Sequence, residues 1–481
     1  MWRSLRFPLL LAFTLLSFGV VWIVSRSIEW QRVPIEDVLS QAGATVGNGR
    51  EQEPEESVDQ NGNGAPAVAV TTGPRSPSGR GKATVVWISV DGFMGDYLDR
   101  GVSPELNRFR REALYTYRLR PPFPSLTFPA HVTKATGVPV SGHGIPANRY
   151  FDRELGQMLS FPGDADLLRA EPIWLTATRQ GIRVAVHDWP LSHNQTGDVR
   201  TAYYGERFDG ALSDRQRLDQ LLATWQADRD SVPLRLLMGY TKAVDSAGHR
   251  YGPDGRGMLP VIEQLDGELG DFTRRVKSQF DKIRRIGDEL FIIFSADHGM
   301  MRVDTNINLR MALGPALSAQ LETATGGNVA NLYLKPQAND SGRAVDERKE
   351  RILSQIESRL QETLPYAEVF RADATPPHWG YRDPSRVGDM IVVLPPGYTF
   401  NASDADIASD AQESGGLLGM HGWAVEDAPE MEGLLMILRY PTPFPQSRDL
   451  GPVDMRQLHP TVARLLGIQP APGADAPPLT L

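Results

Sequence analysis

Three short motifs in this 481-residue chain have the spacing of metal ligands, and a fourth offers a hydroxyl placed to attack. DSAGH sets Asp245 and His249 four residues apart. SADHG puts Asp297 and His298 side by side after an apolar run, and GMHGW holds His421 between glycines. Upstream, PPFPSLTFPAHVTKATG presents one threonine, Thr127, in a proline-rich turn ahead of a helical pattern. With Asp91 closing the first apolar run, these residues make an Asp/His/His set and an Asp/Asp/His set. The chain has no cysteine, which excludes thiolate sites and cysteine nucleophiles. Sets of this kind fit zinc or a similar ion in open catalytic sites. Singly, each motif has a plainer reading: Asp245 and His249 as helix-capping residues, Asp297–His298 as a turn, His421 as a hydrogen-bonded loop histidine. Their order along the chain gives them weight.

Such residues need a scaffold that brings them together. ATVVWISVDG reads as a buried strand ending in Asp91. Similar runs recur at 182–189, 233–240, 289–299, 390–397 and 433–441, with helical patterns such as 212–227 and 258–280 between them. The alternation predicts an α/β fold: a mostly parallel central sheet with helices on both faces. Ligands gather at the carboxyl ends of strands in such sheets, where Asp91, Asp245 and Asp297 fall. The catalytic domain is expected over 83–481. Within it, 329–400 reads as a small α+β insertion that caps the site.

Hydrophobic residues make up 41% and charged residues 23% of the chain, with a formal charge of −9. That balance lacks the basic footprint of a nucleic-acid polymer's partner. Arg3 and Arg6 precede an uncharged apolar run, Phe7–Val24, at the lower end of what spans a bilayer. The expectation is an N-terminal signal-anchor over 1–30, a disordered Gly/Pro/Ser-rich linker over 31–82, and a membrane-anchored protein facing the periplasm or the extracellular space. Cleavage of the anchor would make it secreted.

The ordered motifs resemble the nucleotide pyrophosphatase/phosphodiesterase (type I phosphodiesterase) family of the alkaline phosphatase superfamily. The likeness runs from Thr84 to the C-terminus, through SVDGF, PSLTFPAHVTKATGVPVSGHGIPANRYFD, EPIWLTATRQGIRVAVHDWP, YTKAVDSAGHRYGPDG, SADHGM and HGW. It implies an alkaline-phosphatase-like fold and two zinc ions, one held by Asp245, His249 and His421, the other by Asp91, Asp297, His298 and Thr127. It further implies that Thr127 is the nucleophile of a phospho-threonine intermediate. Asn148 would bind a non-bridging phosphoryl oxygen, and Phe128 and Tyr240 would stack a nucleobase, although both also read as core aromatics. A threonine hydroxyl is a weak nucleophile at neutral pH, and coordination to a cation would make its alkoxide available. Leu126 and Ala130 depart from the family's common lysine and asparagine at the substrate-facing turn. The function implied is hydrolysis of phosphodiester or phosphoanhydride bonds in a small nucleotide-like substrate. The alternatives are a phosphomonoesterase or phosphonate hydrolase of the same superfamily, or a non-catalytic anchored binding protein.

Overall fold

The computed structural model describes residues 81–337, 343–401 and 406–481. Its centre is β1 (Ala83–Val90), buried at every position. Successive side chains of a strand point to opposite faces, so Val86, Ile88 and Val90 enter one apolar core while Val85 and Trp87 enter another. A strand buried on both sides needs helices on both sides. In chain order the helices used below are α1 (Pro104–Arg110), α2 (Thr127–Thr136), α3 (Ile173–Arg179), α4 (Asp214–Ala227), α5 (Ala243–Tyr251), α6 (Met258–Ile283), α7 (Arg343–Thr363) and α8 (Leu458–Leu466). The first core takes side chains from α1, α4, α5 and α6; the second takes them from α2, α3 and α8.

The remaining strands of the sheet are β2 (Leu114–Arg120), β3 (Arg183–Val186), β4 (Tyr203–Tyr204), β5 (Leu234–Thr241), β6 (Glu289–Ser295), β7 (Gly433–Tyr440), β8 (Arg448–Asp449) and β9 (Val453–Asp454). They lie in the order β8-β2-β7-β6-β1-β5-β3-β4, with β9 also on β2. β1 pairs in parallel with β5 and β6, while β7 runs antiparallel to β6 and β2. Ser89 is in register with both Tyr240 and Ser295. Three neighbouring parallel strands therefore end level with one another, and the residues that follow them share one rim.

A four-stranded antiparallel sheet is inserted after β6, in the order Leu321–Gly326, Val329–Leu334, Met390–Val393, Glu368–Arg371. α7 covers it through Ile352, Leu353, Ile356 and Leu360. This layer starts at Leu321, ahead of the expected 329, because the β-hairpin partner of Val329–Leu334 lies before it in the chain. Arg386 ties the layer to the main body: its guanidinium donates to Asp152 Oδ2 at 2.8 Å and to the Gly144 carbonyl at 3.0 Å.

The expectation of a membrane-anchored protein is corrected here. Among the described residues no helix is long and apolar enough to cross a membrane. The segment on which that reading rested, 1–30, lies outside the described residues, as does the linker to residue 80.

Candidate active site

Asp91 follows β1 directly, and its N–H donates to the Thr241 carbonyl at 3.0 Å. Gly92 then turns with φ +65°, and a Cβ there would lie 3.0 Å from the Asp245 Cα. Only glycine lets this turn approach α5 so closely. On α5, Asp245 and His249 are one turn apart on the same face. Asp297 and His298 follow β6. His421 follows Gly419, whose Cβ would fall 2.2 Å from the Gly248 carbonyl oxygen, so this loop packs against α5 as only glycine permits. Thr127 opens α2, after Leu126 in extended conformation.

The three histidines share one arrangement. Nδ1 faces a backbone carbonyl in each: His249 to Gly419 at 2.8 Å, His298 to Gly299 at 2.8 Å, and His421 to Ser125 at 2.9 Å. A carbonyl only accepts, so each Nδ1 carries a proton and each Nε2 is the atom turned to the site. Asp91 and Asp297 are each held on one side only. Asp91 Oδ2 accepts from the Tyr240 hydroxyl, and Asp297 Oδ1 accepts from the N–H groups of Gly92 and His298, both at 3.1 Å. The buried oxygens Asp91 Oδ1, Asp297 Oδ2 and Asp245 Oδ1 have no hydrogen-bond partner.

Those orphaned oxygens face the free imidazole nitrogens. His298 Nε2 lies 3.3 Å from both Asp91 Oδ1 and Asp297 Oδ2. Asp245 Oδ1 lies 3.3 Å from His249 Nε2 and 3.6 Å from His421 Nε2. Thr127 Oγ1 stands 3.4 Å from His298 Nε2. Lone pairs facing carboxylates at this range repel unless a proton or a cation lies between them. Two groups of donors, Asp91/Asp297/His298 and Asp245/His298/His421, each fall within 4.8 Å of one another. His298 belongs to both groups because its ring stacks on that of His421, with centroids 3.5 Å apart. Tetrahedral ligation at the usual zinc distances separates ligand atoms by about 3.4 Å, so the donor sets fit such ions.

Electrostatics carry the same imprint. Burial and the neighbouring Asp297 and Asp245 hold the Asp91 carboxyl well above its ordinary pKa. Burial acts upward on Asp297 too, but His298, His131 and Lys134 hold it well below the usual range. Burial would lower His249, yet Asp245 raises it to about 9. Burial and the adjacent His298 depress His421 to about 3.

The model of the type I phosphodiesterase/nucleotide pyrophosphatase family matches residues 85–424, across every one of these positions. The chain belongs to that family. It is 31% identical over 352 residues to an uncharacterized pyrophosphatase/phosphodiesterase of Schizosaccharomyces pombe, covering 71% of this chain and 68% of the relative. It is 27% identical to the bis(5'-adenosyl)-triphosphatase enpp4 of Xenopus laevis, covering 82% and 80%. In fold it is similar to murine ectonucleotide pyrophosphatase/phosphodiesterase 5, solved as an inactive variant in complex with AMP. The TM-score is 0.68 at 23% identity, covering 81% of this chain and 96% of that one. Family membership makes the protein a hydrolase of the phosphodiesterase/nucleotide pyrophosphatase class, with the alkaline-phosphatase-like fold.

Within this phosphodiesterase, Asn148 reaches the Thr127 turn: its Oδ1 accepts the Phe128 N–H at 2.9 Å. That fixes the amide, so Nδ2 is the group left to donate. Phe128 is buried, edge-on to Phe161, which is 64% exposed. Tyr240 is buried with its phenol on Asp91, a partner that sequence reasoning missed. It also missed Ser125, whose Oγ accepts the Gly422 N–H at 3.0 Å and donates to the Trp423 carbonyl at 2.8 Å, stitching the Thr127 turn to the His421 loop. His131 also touches the site: Nδ1 donates to the Thr127 carbonyl at 2.7 Å and lies 3.3 Å from Asp297 Oδ2. A signal for it was present, since Thr127, His131 and Lys134 stand at i, i+4 and i+7, one face of a helix.

Proposed function

We propose that this phosphodiesterase hydrolyses phosphodiester or phosphoanhydride bonds of small nucleotides through a covalent intermediate on Thr127, with zinc held in two positions. Asp91, Asp297, His298 and Thr127 would hold one ion, and Asp245, His249 and His421 the other. The observation that carries this reading is the set of three buried, unpartnered carboxylate oxygens facing three imidazole Nε2 atoms beside a helix-terminal hydroxyl. Bound zinc supplies Lewis acidity and neutralises charge on oxygen.

The chain's own groups do the rest. Thr127 Oγ1 gives up its proton to solvent and forms a bond to phosphorus as the bond to the leaving oxygen breaks; water later attacks the threonyl phosphoester, its oxygen going to phosphate and a proton returning to the freed hydroxyl. The α2 N-terminus directs its positive dipole end and the N–H of Thr127, which has no intrahelical acceptor, at the developing negative charge. Asn148 Nδ2 donates to a non-bridging oxygen. Phe128 and Phe161 offer an aromatic corner beside Thr127 for a base, and Tyr240 serves chiefly to hold Asp91. A nucleotide substrate is further supported by the triphosphatase name of the Xenopus relative and by AMP in the murine structure.

The test compares bis-p-nitrophenyl phosphate with p-nitrophenyl phosphate, before and after chelation and zinc return. A diester preference that chelation abolishes and zinc restores is expected. A monoester preference, or activity indifferent to chelation, would contradict the proposal.

A further inference from the structure

Lys134 has no exposed surface, yet its ammonium meets only neutral partners: Ser89 Oγ at 2.6 Å, the Ala296 carbonyl at 3.2 Å and the Trp189 ring at 5.0 Å. Among the described residues no carboxylate forms an ion pair with it. Burying an ammonium in this way costs stability. Burial pulls its pKa down to about 8, while Asp297 and Asp91, beyond its immediate partners, favour the charged form. The hydrogen bonds around it have a fixed direction. His131 Nδ1 faces a carbonyl and carries the proton, so Nε2 accepts from the Ser89 hydroxyl at 2.7 Å. Ser89 Oγ in turn accepts from Lys134, which can only donate. The chain of donors runs Lys134 to Ser89 to His131, and ends at the Thr127 carbonyl beside Asp297.

We infer that Lys134 is a positioning residue of the active site, a fixed buried cation that orients the Thr127–Asp297 corner and offsets the excess of carboxylate charge. The inference rests on the reading of Asp91, Asp297 and His298 as cation ligands. Three carboxylates favour a metal but oppose an anionic phosphodiester. A positive charge behind them weakens both effects, so its removal has opposite signs on the two ligands. Proton affinity also rises, but a proton carries one charge and the metal two, so the metal still gains.

Lys134→Met and Lys134→Gln both remove the charge and differ in shape and hydrogen bonding. In each, zinc affinity of the chelator-stripped protein, read by competition with a chromogenic chelator, should tighten roughly tenfold. Inorganic phosphate should bind the zinc-loaded variants roughly tenfold more weakly, and the stripped variants should melt at or above the wild-type temperature. Unchanged or weaker zinc binding in both, or failure of both to fold, would overturn the inference in favour of a structural cation. Absence of divalent-ion binding by the stripped wild-type protein would instead overturn the metal-site reading itself.

Discussion

Replacing Tyr240 by phenylalanine tests how the site holds Asp91, whose carboxyl burial and neighbouring aspartates push well above its ordinary pKa. The phenol is the one side chain donating to Asp91 among the described residues, and Asp91 Oδ1 is already without a partner. Tyr240→Phe therefore leaves a buried carboxylate with neither oxygen paired. A hydrogen bond to a charged group contributes roughly 1.5–3 kcal/mol, which corresponds to about a 10- to 100-fold change in an equilibrium constant. Burial and the adjacent aspartates already raise the Asp91 pKa, and the tyrosine is the group that lowers it. Its loss moves the pKa further up. Because metal binding requires the ionised carboxylate, zinc affinity should fall about 10- to 100-fold at neutral pH and recover as pH rises. Calorimetric titration of the stripped protein with zinc, repeated across pH, reads this directly. Saturating zinc should restore most of the turnover. Affinity equal to wild type, or a loss independent of pH, would refute the account of Asp91.

Three further outcomes follow from the same geometry. Asn148→Ala should lower kcat on a diester roughly 100-fold with zinc affinity intact, measured by steady-state kinetics beside a zinc titration. Ser125→Ala removes the acceptor for the buried Gly422 N–H and should destabilise the fold by about 1–3 kcal/mol, read by urea unfolding. His249, raised to about 9 in the metal-free protein, is protonated at pH 7.5 and must lose that proton to bind zinc. Calorimetry in buffers of different ionisation enthalpy should therefore show proton release that shrinks toward pH 9. By linkage, the stabilisation that His249 gives the metal-free fold is full below pH 6.5 and lost as pH rises through about 9.

The residues of the rim were legible because each motif is local and follows an apolar run: Asp91 after ATVVWISV, Asp297–His298 after ELFIIFSA, Asp245 and His249 at helical spacing. Side-by-side strands then place them without further information. What stayed hidden depends on strand order. The bond from Tyr240 to Asp91 exists because β5 lies beside β1, a neighbour 149 residues away in the chain. Ser125 acts through a loop 297 residues further on. Lys134 looks like an ordinary helical lysine until the sheet behind α2 is known. The small sheet began before its expected start because its first strand, LETATG, has little apolar character to mark it.

The central claim is that Thr127 carries the phosphoryl group during turnover. Acid quenching in the first turnovers with an aryl or nucleotide diester, followed by peptide mapping, measures this directly. The account predicts a phosphoester on Thr127, absent in Thr127→Ala, which should bind zinc yet turn over at least a thousandfold more slowly (order of magnitude). Steady turnover with no adduct at Thr127, or a Thr127→Ala enzyme of near wild-type rate, would contradict it.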